Sequence, residues 1–139
     1  MELKELHEYL CDNERQYKFT LQDVFNVIKE CEELFSEETR AYVYPKNFFC
    51  VKENKFEFIM VDDNHIIIAK SNICENNLYQ INKIPKHRID EIILSDDSFV
   101  KLEIKVRDEE SIILDSEEYF NKRIFTDIVN TIKYFMKKL

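Results

Sequence analysis

The spacing of apolar residues divides this chain into three stretches. Leu3, Leu6 and Leu10 recur at helical spacing and predict a short helix within Met1–Cys11, followed by a polar loop over Asp12–Lys18. A longer helix is predicted next. Leu21, Val24, Phe25, Ile28, Cys31, Leu34 and Phe35 form one stripe, with Gln22, Lys29, Glu30 and Glu33 opposite. Thr20 is its expected N-cap, with Asp23 completing a capping box. Its end is expected near Phe35–Glu38, closed by Ser36 or a 3₁₀ turn because no glycine is at hand.

From Tyr42 to Leu114 the period becomes two. Phe48–Val51 and Phe56–Val61 are expected to form a hairpin across Lys52–Lys55, preceded by the aromatic run Tyr42-Val43-Tyr44-Pro45. Asp62-Asp63-Asn64 supplies a turn. Ile66–Ala69 is unbroken apolar sequence, as in a central strand covered on both faces. Leu78–Ile81 predicts a short strand, and Pro85 leads into Ile89–Leu94. After a turn at Ser95–Ser98, Val100, Leu102, Ile104 and Val106 point inward, while Lys101, Glu103, Lys105 and Arg107 point outward. Asp108-Glu109-Glu110 turns into Ser111–Leu114. The last stretch predicts one long amphipathic helix from Glu117 to Leu139, capped by Asp115 or Ser116. Phe120, Ile124, Phe125, Ile128, Val129, Ile132, Phe135, Met136 and Leu139 make its apolar stripe, which requires a sheet to lie on.

The 139 residues suit one domain, with a helical segment at 1–40 and a sheet plus closing helix at 46–139. A 45% hydrophobic content supports a packed core. The net charge of −8 argues against nucleic acid as a partner, since phosphates would be repelled. Glycine is absent, so phosphate-cradling loops, dinucleotide fingerprints and nucleophile elbows are excluded in their usual forms. The four cysteines, Cys11, Cys31, Cys50 and Cys74, form no CxxC pair and are expected to be free, buried thiols in a reducing cytoplasm. Met1–Glu5 is too charged to begin a signal peptide, and no apolar run is long enough for a transmembrane segment. No motif calls for a cofactor, a metal or a catalytic group. Asp62-Asp63-Asn64-His65 offers metal-ligand atoms but reads as a solvated turn, and His7, His65 and His87 are scattered.

About seven short antiparallel strands followed by one closing helix is an element order that resembles small bacterial pleckstrin-homology-like (PH-like) domains. The resemblance covers Phe48–Leu139 and rests on the basic lead-in Ile84-Pro85-Lys86-His87-Arg88-Ile89-Asp90-Glu91-Ile92 and on the Val100–Val106 and Ser111–Leu114 hairpin running into the helix. It implies an α+β fold in which N-terminal helices precede a strongly bent antiparallel sheet, or partly open barrel, closed by the C-terminal helix. It also places Lys52 and Lys55 in the turn where phosphoinositide-binding members carry basic residues. The arginine usual on the following strand is replaced here by Phe56-Glu57-Phe58.

The expected function is therefore a non-enzymatic interaction module that binds a protein partner or self-associates. Two alternatives are a peripheral binder of anionic lipid headgroups and a small acidic inhibitor of a basic-surfaced enzyme. Candidate anion or partner contacts are Lys52, Lys55, Lys83, Lys86, His87 and Arg88.

Overall fold

The computed structural model describes residues 1–12, 21–47, 55–72 and 77–139. The expected cap at Thr20, most of the polar loop at 12–18, the strand at 48–51, the turn at 52–54 and the thiols of Cys11, Cys50 and Cys74 lie outside the described residues and side chains.

Helix α1 spans Leu3–Asp12 and α2 spans Leu21–Leu34, as their apolar spacing predicts. Ser36 is extended, and its side chain accepts the Thr39 N–H to cap a one-turn helix α3, Glu37–Arg40. Seven strands follow in two antiparallel sheets. The first contains, in spatial order, β1 Val43–Lys46, β2 Lys55–Val61, β3 His65–Asn72 and β4 Asn77–Pro85. The second contains β5 Ile89–Asp96, β6 Val100–Val106 and β7 Ile112–Asp115.

The aromatic run expected before the first strand is itself the strand β1. Val43, Tyr44 and Pro45 are buried there. Pro45 is tolerated because β1 is an edge strand, where a missing N–H breaks no ladder. Ile66–Ala69 is interior, flanked by β2 and β4, and all four residues are buried. β6 shows its expected alternation, with Val100, Leu102, Ile104 and Val106 buried.

The expected single bent sheet or barrel is not formed. The chain leaves β4 at Pro85, makes a 3₁₀ turn over Lys86–Arg88 and begins β5 without a β4–β5 ladder. Strand register shows which face of the first sheet looks at the second. Tyr44, Ile59 and Ile68 make one cross-strand row, and Lys46, Glu57 and Lys70 make the next row on the same face. The Tyr44 hydroxyl reaches the backbone of Asp115 on β7, so this face is the inter-sheet face. The opposite face, with Phe56, Phe58, Met60, Ile67 and Ala69, is also buried. The N-terminal helices come to this sheet through α2 on β4, α3 on β2 and the Val43 N–H donated to the Met1 carbonyl.

The C-terminal segment departs from one continuous helix. Asp115 caps a 3₁₀ turn, Ser116–Tyr119, by accepting the Glu117 N–H at 2.9 Å. Phe120 is then extended and Asn121 has φ 66°, a left-handed value that asparagine adopts more readily than most residues. Helix α4 begins only at Phe125 and ends at Lys138. The break turns Tyr119 fully inward, edge-on to Tyr44, and leaves Phe120, expected in the apolar stripe, 55% exposed. From Ile124 onward the stripe holds at Ile124, Ile128, Ile132 and Phe135, which are buried, while Met136, also expected in it, is exposed. α4 packs on β1 of one sheet and β6 of the other, so it ties the two together.

Candidate functional site

A cleft of about 570 Å³ opens where the inter-sheet face is not filled by apolar side chains. Strand pairing builds one wall. Lys46 lies opposite Glu57, and Glu57 lies opposite Lys70, so three charged residues from three adjacent strands stand in a row. The Lys70 ammonium is 3.8 Å from the Glu57 carboxylate. The other wall is the turn between β6 and β7, with Glu109, Glu110 and Ser111. Arg88 joins this wall, since its guanidinium lies 3.3 Å from Glu109 and donates to the Arg107 carbonyl at 2.9 Å. Ile68, Ile84 and Ile112 line the apolar part, and Lys83 and Ile81 border the rim from edge strand β4, although their ladder partners Ile67 and Ala69 lie on the sheet's other face.

Four cations and three carboxylates thus surround an isoleucine-lined depression. Glu57 and Glu109 are each paired with a cation of the cleft itself. Among the described residues, Lys46 and Lys83 form no ion pair within 4.0 Å. Lys46 also lies within electrostatic reach of Glu118, and Lys83, opposite Ile67 in the ladder, borders the cleft only at its rim, while the isoleucines offer dry contact to an apolar group.

The structure separates the residues of the expected basic cluster. Lys83 and Arg88 line the cleft, and Lys86 and His87 do not. Lys86 donates from Nζ to the Lys138 carbonyl at 2.8 Å, satisfying a terminal acceptor of α4. His87 is exposed in the 3₁₀ turn. Lys52 and the Lys55 side chain lie outside the described residues. Lys46 and Lys70 line the cleft although neither belongs to the expected basic cluster. Nothing in the linear sequence brings positions 46 and 70 together, although alternation from the apolar Ile68 does place Lys70 on the same face.

The remaining chemistry-bearing residues have structural roles. Asp62 accepts the N–H groups of Asn64 at 2.8 Å and His65 at 2.6 Å, closing the β2–β3 turn. Partial burial pushes its carboxyl up. The two backbone hydrogen bonds, with help from His65, outweigh this and hold it below the usual carboxylate range. Asp63 pairs with Lys138 at 3.2 Å, anchoring the end of α4 to this turn. Among the described residues, no three His, Cys, Asp or Glu side chains gather as a metal site. His7 lies against the Phe25 ring, at 4.0 Å between centroids. Cys31 is fully buried. Burial first, and then the Glu30 and Glu32 carboxylates, push its thiol up to about 12. Such a thiol supplies no nucleophile near neutral pH. Among the described residues, no helix is long and apolar enough to cross a membrane.

No curated protein and no solved structure matches this chain. A family model described as "Protein of unknown function (DUF3908)" matches residues 2–127, which takes in both sheets, the N-terminal helices and the first residues of α4. The match covers most of the chain, which therefore belongs to the DUF3908 family.

Proposed function

We propose that this chain is a non-enzymatic interaction module of PH-like architecture that holds an acidic, partly apolar segment of a protein partner in the cleft between its sheets. The architecture is supported by the element order, four antiparallel strands, then three, then a helix against both sheets. The observation that carries the binding reading is the pairing pattern within the cleft. Glu57 and Glu109 are neutralised by Lys70 and Arg88, while Lys46, which shares its charge with Glu118, and Lys83 at the rim form no ion pair within 4.0 Å among the described residues, beside exposed Ile81 and buried Ile68. Isoleucine next to ammonium suits a segment that alternates carboxylate with aliphatic side chains. A lipid surface suits it less, since the chain's charge of −8 opposes approach to an anionic bilayer.

The test uses labelled short peptides alternating Glu with Leu, Lys-for-Glu controls, and vesicles with and without anionic lipid. Salt-sensitive binding of the acidic peptides is expected, weakened about tenfold by Lys46→Glu combined with Lys83→Glu and left unchanged by His87→Glu. Vesicle binding that is lost in the same double variant, without peptide binding, would replace the protein partner with a lipid headgroup.

A further inference from the structure

Each sheet edge in this molecule has a different fate. On edge strand β1, the Val43 N–H is taken by the Met1 carbonyl. The edge strand β4 is met by α2, whose Glu30 accepts the Leu78 N–H at 3.0 Å. β7 is a four-residue strand whose last N–H, at Asp115, goes to the Tyr44 hydroxyl. β5 is different. It is eight residues long, pairs with β6 on one side, and among the described residues has no strand partner on the other.

Edge strands are usually protected by charge. β5 carries Asp90, Glu91 and Asp96, but each is neutralised within the chain. Asp90 pairs with Arg107 at 3.0 Å, Glu91 with Lys105 at 3.1 Å and Asp96 with Lys133 of α4 at 3.2 Å. The deterrent to pairing is thereby weakened. The apolar residues of the strand are incompletely covered at the same time. Ile92 and Ile93 are half-buried and Leu94 is 37% exposed, although Ile92 and Leu94 lie opposite the fully buried Ile104 and Leu102. The inner face of the second sheet therefore stops short of being sealed at β5.

We propose that the β5 edge is the contact between two copies of this chain, paired antiparallel about a two-fold axis at Ile92. The register follows from charge and geometry. In an antiparallel ladder, two residues directly opposite both turn their backbone groups toward each other or both turn them away. A two-fold axis must therefore pass through a residue position and not between two. An axis at Glu91 sets that carboxylate against itself. One at Ile93 brings Asp96 toward Asp90 in the bulge of the second copy, and one at Leu94 brings Glu91 toward Asp97 just past the strand's end. An axis at Ile92 opposes no two acids. It puts Glu91 against Ile93 on either side of the axis, and the β-bulge between Ile89 and Glu91 ends the regular ladder beyond them. It also sets Ile92 beside its own copy, with Leu94 as the diagonal neighbour, so the two incompletely covered inner faces close over each other. The three-stranded sheets become one six-stranded sheet. This proposal is independent of the cleft reading, and its experiment does not involve Lys46 or Lys83.

The experiment is sedimentation equilibrium of the full chain over a range of concentrations, on wild type, Ile92→Lys, Ile92→Glu and an equimolar mixture of the two variants. Circular dichroism checks that each variant is folded. The wild type is expected to show a reversible monomer–dimer equilibrium. Each variant alone is expected to dimerise at least about tenfold more weakly, because position 92 then sets like charges against each other. The mixture is expected to recover dimer, since only at the two-fold does a residue face its own counterpart. A wild type that stays monomeric at every concentration overturns the proposal. So does a dimer unaffected by either variant, or a mixture that remains as monomeric as its components.

Discussion

The phenolic oxygen of Tyr44 on β1 accepts the backbone N–H of Asp115 on β7 at 3.0 Å and lies 2.9 Å from the carbonyl oxygen of the same residue. Its single proton is donated either to that carbonyl or to the Glu118 carboxylate at 3.1 Å. One side chain thus supplies a ladder partner for the end of β7 and ties the two sheets together. Burial first, and then the nearby Glu118 charge, push the phenol far above its ordinary value, so it remains a neutral donor.

Replacing Tyr44 by Phe keeps the ring against Tyr119 and removes the oxygen. Asp115 then loses a hydrogen-bond partner for its N–H in a part-buried setting. A loss of about 1–3 kcal/mol is expected by urea denaturation, with hydrogen exchange at Asp115 accelerated more than at residues of β2 or β3. Unchanged stability would mean that water replaces the hydroxyl at no cost.

The break before α4 gives Asn121 a testable signature. In a continuous helix, Gly at this position would be about 1 kcal/mol worse than Ala. At φ 66° the order reverses, because Cβ is what makes the left-handed region costly. Asn121→Gly is therefore expected to match or exceed the wild type, and Asn121→Ala to fall about 1 kcal/mol below it. Thermal unfolding of the two variants side by side decides between the geometries.

Lys86, in the 3₁₀ turn, serves the end of α4 and not the cleft. Lys86→Ala removes the donor to the Lys138 carbonyl and is expected to lower stability by about 1 kcal/mol while leaving peptide binding unchanged. A large loss of binding without a loss of stability would return Lys86 to the binding surface.

Cys31 is expected to resist alkylation. Iodoacetamide at pH 8 followed by peptide mapping should leave it unmodified in the native protein and label it after unfolding in urea, because its thiol is both inaccessible and protonated up to about 12.

The α-amino group of Met1 gives a pH dependence with a defined sign. Burial lowers it from 8.0 to about 6, against the opposing pull of Glu5, Asp127 and Glu2. Between these values the unfolded chain binds the proton and the folded chain does not. Stability from this group is therefore complete above pH 8 and is lost as pH falls toward 6, by at most about 2–3 kcal/mol. Urea midpoints at pH 6 and pH 8 should differ in this direction, and the difference should shrink in Nα-acetylated protein.

Local pattern determined several features of this protein. β6 alternates in the sequence as it does in the sheet, because one of its faces is apolar and the other charged, and a slip of one residue would expose four aliphatic side chains. Ile66–Ala69 reads as interior because a strand buried on both faces has no polar positions to alternate. The stripe from Ile124 to Phe135 identifies a packing helix for the same reason.

Tertiary structure decided what depends on residues far apart in sequence. Phe120 fits a helical stripe by spacing, yet drawing Tyr119 against Tyr44 requires a backbone turn that sends its neighbour outward. Pro45 and the aromatic run became an edge strand because β2 offered a partner. The cleft depends on pairing in the same way. Lys46, Glu57 and Lys70 are 11 and 13 positions apart and meet only when β1, β2 and β3 adopt one register. Charge and apolarity are properties of a residue and can be read one position at a time. Convergence of charges and the vacancy of a strand edge are properties of the assembled sheets, and they exist only after the chain has folded.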